Sequence, residues 1–225
     1  MKNKLNYFET SKFKICLQRE GHISRIAKNV LSKGLQARIP AYNRRFRTFS
    51  NSTKNGEIGI IYIKDKMVCD IVKSGFVDLG VVGSDRIHEG NFENRIVKIK
   101  TLSKISWPLV IAIPLDSSIK SMSDIKTIAT QFPKSVNSYL DSVDLREKIR
   151  IIKIQGSAEA MPYGKWLGKR IDAIADISIT GKSLRNNSLI RLGKPIAVFH
   201  PVIIANKKSI KLKNKMAYYR QFIKK

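Results

Sequence analysis

The chain has little of what builds disulfide or metal chemistry: its 225 residues include only two cysteines and three histidines. Cys16 and Cys69 each sit in an apolar segment, so both are expected as buried free thiols rather than as a disulfide or redox pair. His22, His88 and His200 lie far apart without ligand spacing, which argues against a zinc site, and no protein-bound metal is expected. Long hydrophobic runs are missing too, since nothing approaches the ~18 apolar residues that a membrane-spanning helix needs. The opening "MKNKLNYFETSKFK" lacks an apolar core followed by a small-residue cleavage site. A cytoplasmic location with no membrane partner is therefore the expectation. Acidic residues are scarce: 17 Asp and Glu stand against 43 Lys and Arg, a net charge of +26. No internal repeat or low-complexity linker is present.

A charge of that sign favours polyanionic partners, whether nucleic acid, an acidic membrane surface, or nucleotide and phosphorylated-sugar substrates. The excess concentrates in "RIPAYNRRFR" and in the tail from Lys207 to Lys225, which holds eight basic residues and no acidic one. Charge alone does not choose among these partners, and nucleic acid is not the expected one.

The hydrophobic content, 43%, suffices for one large domain or two small lobes with real cores. "KFKICL" (12–17) reads as a strand. Gly21 then opens a helix with Ile23, Ile26, Ala27, Val30 and Leu31 on one face. "IGIIYI" (58–63) is a second buried strand, and a short helix marked by Met67, Val68, Ile71 and Val72 leads through Gly75 to "FVDLGVVG" (76–83). Strands alternating with helices predict a parallel sheet. "IVKIKTL" (96–102) and a central strand "WPLVIAIP" (107–114) follow. A second set of β-α-β units is then read from "IKTIAT" (125–130), a helix with Val136, Tyr139, Leu140 and Val143 on one face, "RIIKI" (150–154), a helix opening at Gly156-Ser157, and "IDAIADI" (171–177). "KPIAVFHPVIIAN" (194–206) returns to the first lobe, and a basic helix with Leu212, Met216, Tyr219 and Ile223 inward ends the chain. The expected α/β architecture is thus residues 1–103 as the first part of lobe I, 104–186 as lobe II, and 187–225 as the return to lobe I with the C-terminal helix. Two crossings between lobes predict a cleft. "NSTKNG" (51–56) and "YGKWLGKR" (163–170) are expected as mobile loops.

One stretch, "DISITGKSLRNNSL" from Asp176 to Leu189, stands out. Ligands of α/β sheets bind beyond the carboxyl ends of strands, where loops feed helices. Thr180 and Ser183 offer hydroxyls, Gly181 lets the backbone turn and approach a ligand, and successive N–H groups can form an anion nest. Asp176 at the strand end can accept hydrogen bonds from sugar hydroxyls, so the segment reads as a grip on a ribose phosphate. An ordinary strand-to-helix turn with a Ser or Thr cap stands beside that reading. It is not a Walker loop, because the G-x-x-x-x-G-K-S/T spacing is absent.

"DAIADISITGKSLRNNSL" resembles the phosphoribosyl-diphosphate loop of the ATP phosphoribosyltransferases, D-x-I/V-x-D-I/L-V-x-T-G-x-T-L-x-x-N-x-L. Four further segments follow in the family's order. "KICLQREGHISRIAKNVL" resembles its first strand and K-S-G-R-L turn, "GFVDLGVVGSD" its V-D-L-G-I-x-G-x-D/N, "KTIATQFPKSVNSYL" its R-I-A-T-x-F/Y-P, and "IIKIQGSAEAMP" its L-x-G-S-V-E-x-A-P. The resemblance runs from residue 12 to about 206. It implies a two-lobed catalytic core of the type II periplasmic-binding-protein class, with substrates in the inter-lobe cleft. The reaction it implies is attack by N1 of ATP's adenine on the anomeric carbon of phosphoribosyl diphosphate. Pyrophosphate is released, in the first step of histidine biosynthesis, with Mg²⁺ held largely by substrate oxygens and water. Such a reaction needs two polyanions positioned and their repulsion screened; no residue is assigned a catalytic role. Carried over by motif, Asp176 meets the ribose hydroxyls, and Thr180, Gly181, Lys182 and Ser183 hold the 5′-phosphate. Arg19 and Gly21 face phosphates from the first turn, Gly83, Ser84 and Asp85 line the cleft, and Gly156, Ser157 and Glu159 form a helix N-terminus open to anionic oxygens.

The chain departs from the family pattern at several positions. K-S-G-R-L is Arg19-Glu20-Gly21-His22-Ile23, so an arginine has become His22, and neutral imidazole cannot replace a guanidinium fork. G-C-R/K-L is Ser106-Trp107-Pro108-Leu109, D-I/V-P is Met67-Val68-Cys69, and Lys165 to Arg170 lengthen a loop. The chain ends where the catalytic core ends, so the resemblance implies that the C-terminal regulatory domain is absent. It also implies a homo-oligomer or a partner regulatory subunit. Two other functions stay open: a degenerate relative that binds nucleotide or sugar phosphate with little activity, and a basic nucleic-acid-binding protein.

Overall fold

The computed structural model describes residues 8–42, 49–52, 57–90, 92 and 94–223. The chain divides into two units, one running to Lys104 and resuming at His200, the other spanning Ile105–Phe199.

The first unit is built on continuous apolar strands rather than alternating ones. β1 (Phe13–Gln18) pairs in parallel with β3 (Ile58–Ile63) and β4 (Leu79–Gly83). Along β1, Phe13, Ile15 and Leu17 enter one core while Cys16 enters the other. A sheet with helices on both faces requires that double burial. α1 (His22–Leu35) covers the first face with Ala27, Leu31 and Leu35. α2 (Asp65–Ser74) covers the second with Val68, Cys69 and Val72. β2 (Phe49–Ser52) flanks β3, a short α3 (Ser84–Glu89) follows β4, and β5 (Ile96–Thr101) completes the outgoing strands. The returning β13 (Pro201–Asn206) inserts between β4 and β5, antiparallel to both, giving the order β2-β3-β1-β4-β13-β5.

The second unit has the order β12-β6-β11-β7-β8. β6 (Trp107–Pro114) is flanked on both sides and buried at every residue but Pro108, as its unbroken apolar run predicts. β7 (Thr127–Thr130), β8 (Arg150–Lys153) and β11 (Ala173–Ile177) are mutually parallel, and β12 (Leu189–Phe199) runs antiparallel to β6. α4 (Pro133–Ser142) starts on a proline, whose missing N–H costs nothing in a first turn.

Five expectations are corrected. Both sheets are mixed, not parallel: β6 and β13 each enter their sheet from the other unit, free of the helical crossover that fixes parallel direction. Residues 194–206 are divided at His200 between β12 in the second unit and β13 in the first, so the return begins at His200 rather than at 187. No helix opens at Gly156-Ser157. Gly156 has φ 92, and the segment reaches only a single 3₁₀ turn at Met161–Tyr163, whose Pro162 could not continue an α-helix. The expected loop 163–170 contains a hairpin, β9 (Lys165–Trp166) and β10 (Lys169–Arg170), turned by Leu167 and Gly168 at φ 50 and 76. Two successive positive φ values suit a two-residue hairpin turn. In α6 (Met216–Ile223), Tyr219 and Phe222 face inward, while Leu212 precedes the helix and Ile223 is half exposed. Within the expected loop 51–56, residues 53–56 lie outside the described residues, as do 43–48 of the basic stretch.

Candidate active site

The Thr-Gly-Lys-Ser segment begins where β11 runs out. Ser178 N–H donates to the Pro108 carbonyl at 3.0 Å, the last rung on β6. Gly181 then takes φ 71, ψ 1, and α5 (Lys182–Asn186) starts behind it. Its first internal bond is Arg185 N–H to the Gly181 carbonyl at 3.0 Å. The N–H groups from Gly181 to Leu184 precede that bond, as at any helix start. The Lys182 N–H is shared with Thr180 Oγ1 at 3.3 Å.

The carbonyls of the same loop are occupied. Arg191 on β12 donates from Nη2 to the Ser178 carbonyl at 2.5 Å and, more distantly, to Ser178 Oγ and the Ile179 carbonyl. Arg185 Nη1 donates to the Thr180 carbonyl at 3.2 Å. Two guanidiniums therefore take up acceptors that would repel an anion, and donors remain at the turn. A Cβ at position 181 would lie 3.0 Å from Arg185 Nη1, on a residue already in the left-handed region.

Carboxylates lie beside this loop. Ser183 Oγ donates to Glu159 Oε1 at 2.5 Å. Asp176 Oδ1 accepts the Ile177 N–H at 2.7 Å. Burial pushes the Asp176 carboxyl up to about 6; the Ile177 N–H opposes that rise and the charge of Glu159 adds to it. Gly156 is fixed nearby in sequence by Gln131, whose side-chain amide donates to its carbonyl at 2.7 Å, while Ser157 is exposed.

The remaining predicted residues belong to the first unit, at the carboxyl ends of adjacent parallel strands β1 and β4. Arg19 continues β1 through an N–H bond to the Ile63 carbonyl at 3.0 Å. Its Nε reaches the Tyr62 carbonyl at 3.4 Å, and the guanidinium lies 5.9 Å from the centre of the Tyr42 ring. Gly21 has φ 102 and caps α1, of which His22 is the first residue. Gly83 ends β4. Ser84 donates its N–H to the His200 carbonyl at 2.8 Å and accepts the His200 N–H on Oγ at 3.1 Å, so its hydroxyl braces the point where the chain returns. Asp85 is 6% exposed and lies 3.6 Å from Arg86 Nε.

The structure thus bonds the Thr180 to Ser183 loop to Glu159 through Ser183, leaves Asp176 within reach of Glu159's charge without a bond to it, and keeps Arg19, Gly21 and Gly83 to Asp85 in the other unit. Sequence reasoning missed Arg185, Arg191 and the Pro108 carbonyl. Arg185 lies one helical turn beyond Gly181, a spacing open to inspection; Arg191 requires the antiparallel pairing of β12 with β6.

A family model described as ATP phosphoribosyltransferase matches residues 64–225. An ATP phosphoribosyltransferase of Methanocaldococcus jannaschii is 30% identical over 211 residues, covering 92% of this chain and 69% of that protein. Among solved structures, the ATP phosphoribosyl transferase (HisG:HisZ) complex from Thermotoga maritima aligns with a TM-score of 0.67 at 23% identity, over 93% of this chain and 95% of that one. ArgBP from T. maritima aligns with a TM-score of 0.55 at 10% identity over 98% of this chain and 90% of that one, placing the fold among those of periplasmic binding proteins.

Proposed function

The chain belongs to the ATP phosphoribosyltransferase family, and we propose that it transfers the phosphoribosyl group of phosphoribosyl diphosphate to N1 of ATP, opening histidine biosynthesis, through a 5′-phosphate site at Thr180 to Ser183. One observation carries the site assignment: the loop after β11 has its carbonyls bonded to Arg185 and Arg191 while its turn N–H groups remain as donors. In this reading the 5′-phosphate takes the N–H groups around Gly181 and the hydroxyl of Thr180, and that of Ser183 once it turns from Glu159 Oε1 to the phosphate. Lys182 adds a mobile positive charge. Asp176, ionised at neutral pH, accepts hydrogen bonds from the ribose hydroxyls and holds the ring so that its anomeric carbon is open to the adenine nitrogen.

Pyrophosphate is a good leaving group, so the residues act by orienting the sugar and screening charge rather than by nucleophilic attack. Among the described residues no three His, Cys, Asp or Glu side chains form a group able to cage a metal. In the proposed reaction a Mg²⁺ would be carried in by the substrates' own oxygens and water, where it would neutralise the departing pyrophosphate. Arg19, Gly21, Gly83, Ser84, Asp85, Gly156, Ser157 and Glu159 belong to the same reading as phosphate-facing and cleft positions. No helix among the described residues is long and apolar enough to cross a membrane; a cytoplasmic location, where ATP is supplied, goes with the proposed activity. The T. maritima enzyme is a HisG:HisZ complex, which supports a regulatory partner or an oligomer here. The relatives' names favour neither the binding-only nor the nucleic-acid reading.

The test is a spectrophotometric assay of phosphoribosyl-ATP formation from ATP and phosphoribosyl diphosphate with Mg²⁺. Product formation is expected. Folded protein that binds both substrates and forms no product would replace the reading with a binding-only relative.

A further inference from the structure

The basic tail takes no part in the site above, and four of its eight cations line a separate cavity of about 480 Å³ in the first unit. Lys207, Lys208, Lys211 and Lys215 meet Lys73 from α2 and Arg95 at the start of β5 there. The location is the amino end of β4, where Asp78 precedes Leu79; Gly83 to Asp85 lie at the opposite end of that strand. We propose that this cavity is a second anion site, for a small ligand carrying two or three adjacent phosphates.

Three observations converge. Among the described residues, the single carboxylate lining the cavity, Asp78, is already matched: it accepts from Lys215 Nζ at 2.6 Å, from Ser209 Oγ at 2.5 Å and from the Lys14 N–H at 2.7 Å. Its charge is therefore spent, and among the described residues Lys73, Arg95, Lys207, Lys208 and Lys211 make no salt bridge. Holding like charges around one concavity is unfavourable unless a counter-charge enters.

The backbone carrying these lysines is also rigidly placed. Asn206, 6% exposed, donates to the Val72 carbonyl at 2.8 Å and accepts the N–H groups of Lys208 and Ser209 at 3.0 and 3.1 Å. Lys207 N–H bonds the Arg95 carbonyl at 2.9 Å. Two strand ends are thus clamped together with their cations around the opening. Finally, the volume suits a small molecule, and among the described residues the lining presents no free aromatic face for an unstacked base: Phe92 has Lys73 Nζ 5.6 Å from its centre, and Tyr219 is fully buried with its hydroxyl hydrogen-bonded to Ser209 and the Asp78 carbonyl. Those features favour a compact polyphosphate over single-stranded nucleic acid. The site is independent of the proposed reaction.

Inorganic triphosphate is the probe, titrated calorimetrically into the full chain, with Lys208→Gln/Lys211→Gln and Gly181→Val as variants and circular dichroism as the folding control. Gly181→Val should keep a saturable triphosphate site of parental affinity, because its change lies in the other unit. The double glutamine variant should lose at least tenfold in that affinity, and its phosphoribosyl-ATP formation without triphosphate should equal the parent's. ATP as a second titrant separates a nucleotide ligand from a purely inorganic one, with either result supporting the site if the double variant weakens it. The proposal is overturned if triphosphate binds the double variant as it does the parent, or if Gly181→Val has no saturable site. Displacement of triphosphate by a single-stranded RNA at lower concentration, with a steep salt dependence, would overturn it in favour of nucleic acid.

Discussion

Replacing Asp176 by asparagine should make the protein more stable and a worse binder of phosphoribosyl diphosphate. Its carboxyl is held at about 6, against an ordinary 3.8, chiefly by burial. At ~1.4 kcal/mol for each tenfold change in acidity, the charged form is disfavoured by about 3 kcal/mol at neutral pH. Residual solvent contact of the side chain reduces the recoverable part to about 2 kcal/mol. Asparagine carries no charge, its carbonyl oxygen can keep the Ile177 N–H, and it removes the repulsion from Glu159. The sign is fixed by the raised value. Between pH 3.8 and about 6 the folded carboxyl holds a proton that the unfolded one has lost, so its contribution to stability falls as pH rises through that window and stays lost above it. The gap between variant and parent should therefore be small at pH 4, open through pH 6, and reach roughly 4–8 °C in Tm at pH 7.5, using ~2–4 °C per kcal/mol for a chain of this size. Thermal unfolding across that range reads the gap. Titration at pH 7.5 should show phosphoribosyl diphosphate affinity down about 10- to 100-fold, the cost of a charge-assisted hydrogen bond, and ATP affinity unchanged. A Tm gap equal at pH 4 and 7.5 would refute the electrostatic argument; parental sugar-phosphate affinity would refute the role.

Four other outcomes follow from named contacts. Gly181→Val places a β-branched residue at φ 71, costing about 1–2 kcal/mol locally, and should abolish phosphoribosyl diphosphate binding while ATP binding and the circular dichroism spectrum persist. Arg191→Met removes the brace on the Ser178 carbonyl and should lower kcat/KM for phosphoribosyl diphosphate at least tenfold with little change for ATP, measured in steady state. Asp78→Ala strips Lys215 and Ser209 of their buried acceptor and should cost about 3 kcal/mol in urea unfolding. Cys16 and Cys69 are buried free thiols, with the Cys69 thiol pushed up to about 12 by burial; a thiol reagent should label neither until the protein unfolds.

The fold was legible where burial is continuous and the local code decides. "IGIIYI" and "WPLVIAIP" coincide with β3 and β6, residue for residue, because unbroken apolar runs of that length have few other uses. Legibility failed where direction or register depends on distant residues. Nothing within "KPIAVFHPVIIAN" says that His200 hands the chain from one sheet to the other; that follows from Phe199 pairing with Trp107 and Pro201 with Gly83. Gly156-Ser157 looked like a helix start because glycine and serine serve both caps and turns, and Pro162, the residue that forbids the helix, lies a full turn later. At the candidate site, Thr180 to Ser183 stood out through composition, whereas the groups that orient the loop did not. Pro108 was readable only as a missing cation; its contribution is a backbone carbonyl, which no side-chain pattern records.

The charge excess illustrates the same distinction between composition and placement. Counted along the chain, the cations favour any polyanion; in the structure they serve different ends. Arg185 and Arg191 spend their donors on backbone carbonyls, so near the loop positive charge shapes the turn more than it attracts from a distance. Among the described residues, Lys207, Lys208 and Lys211 make no such side-chain bonds and line a cavity whose Asp78 carboxylate is already paired with Lys215. Bonded guanidiniums lose little with added salt, because their contacts are short and partly shielded, whereas exposed ammonium groups lose most of their pull within a Debye length of ~8 Å at physiological ionic strength. Raising salt should therefore weaken anion binding at the cavity well before it disturbs the geometry of the Thr180 to Ser183 loop. The sign of the net charge leaves those two behaviours indistinguishable, and the hydrogen-bond partners of each cation separate them.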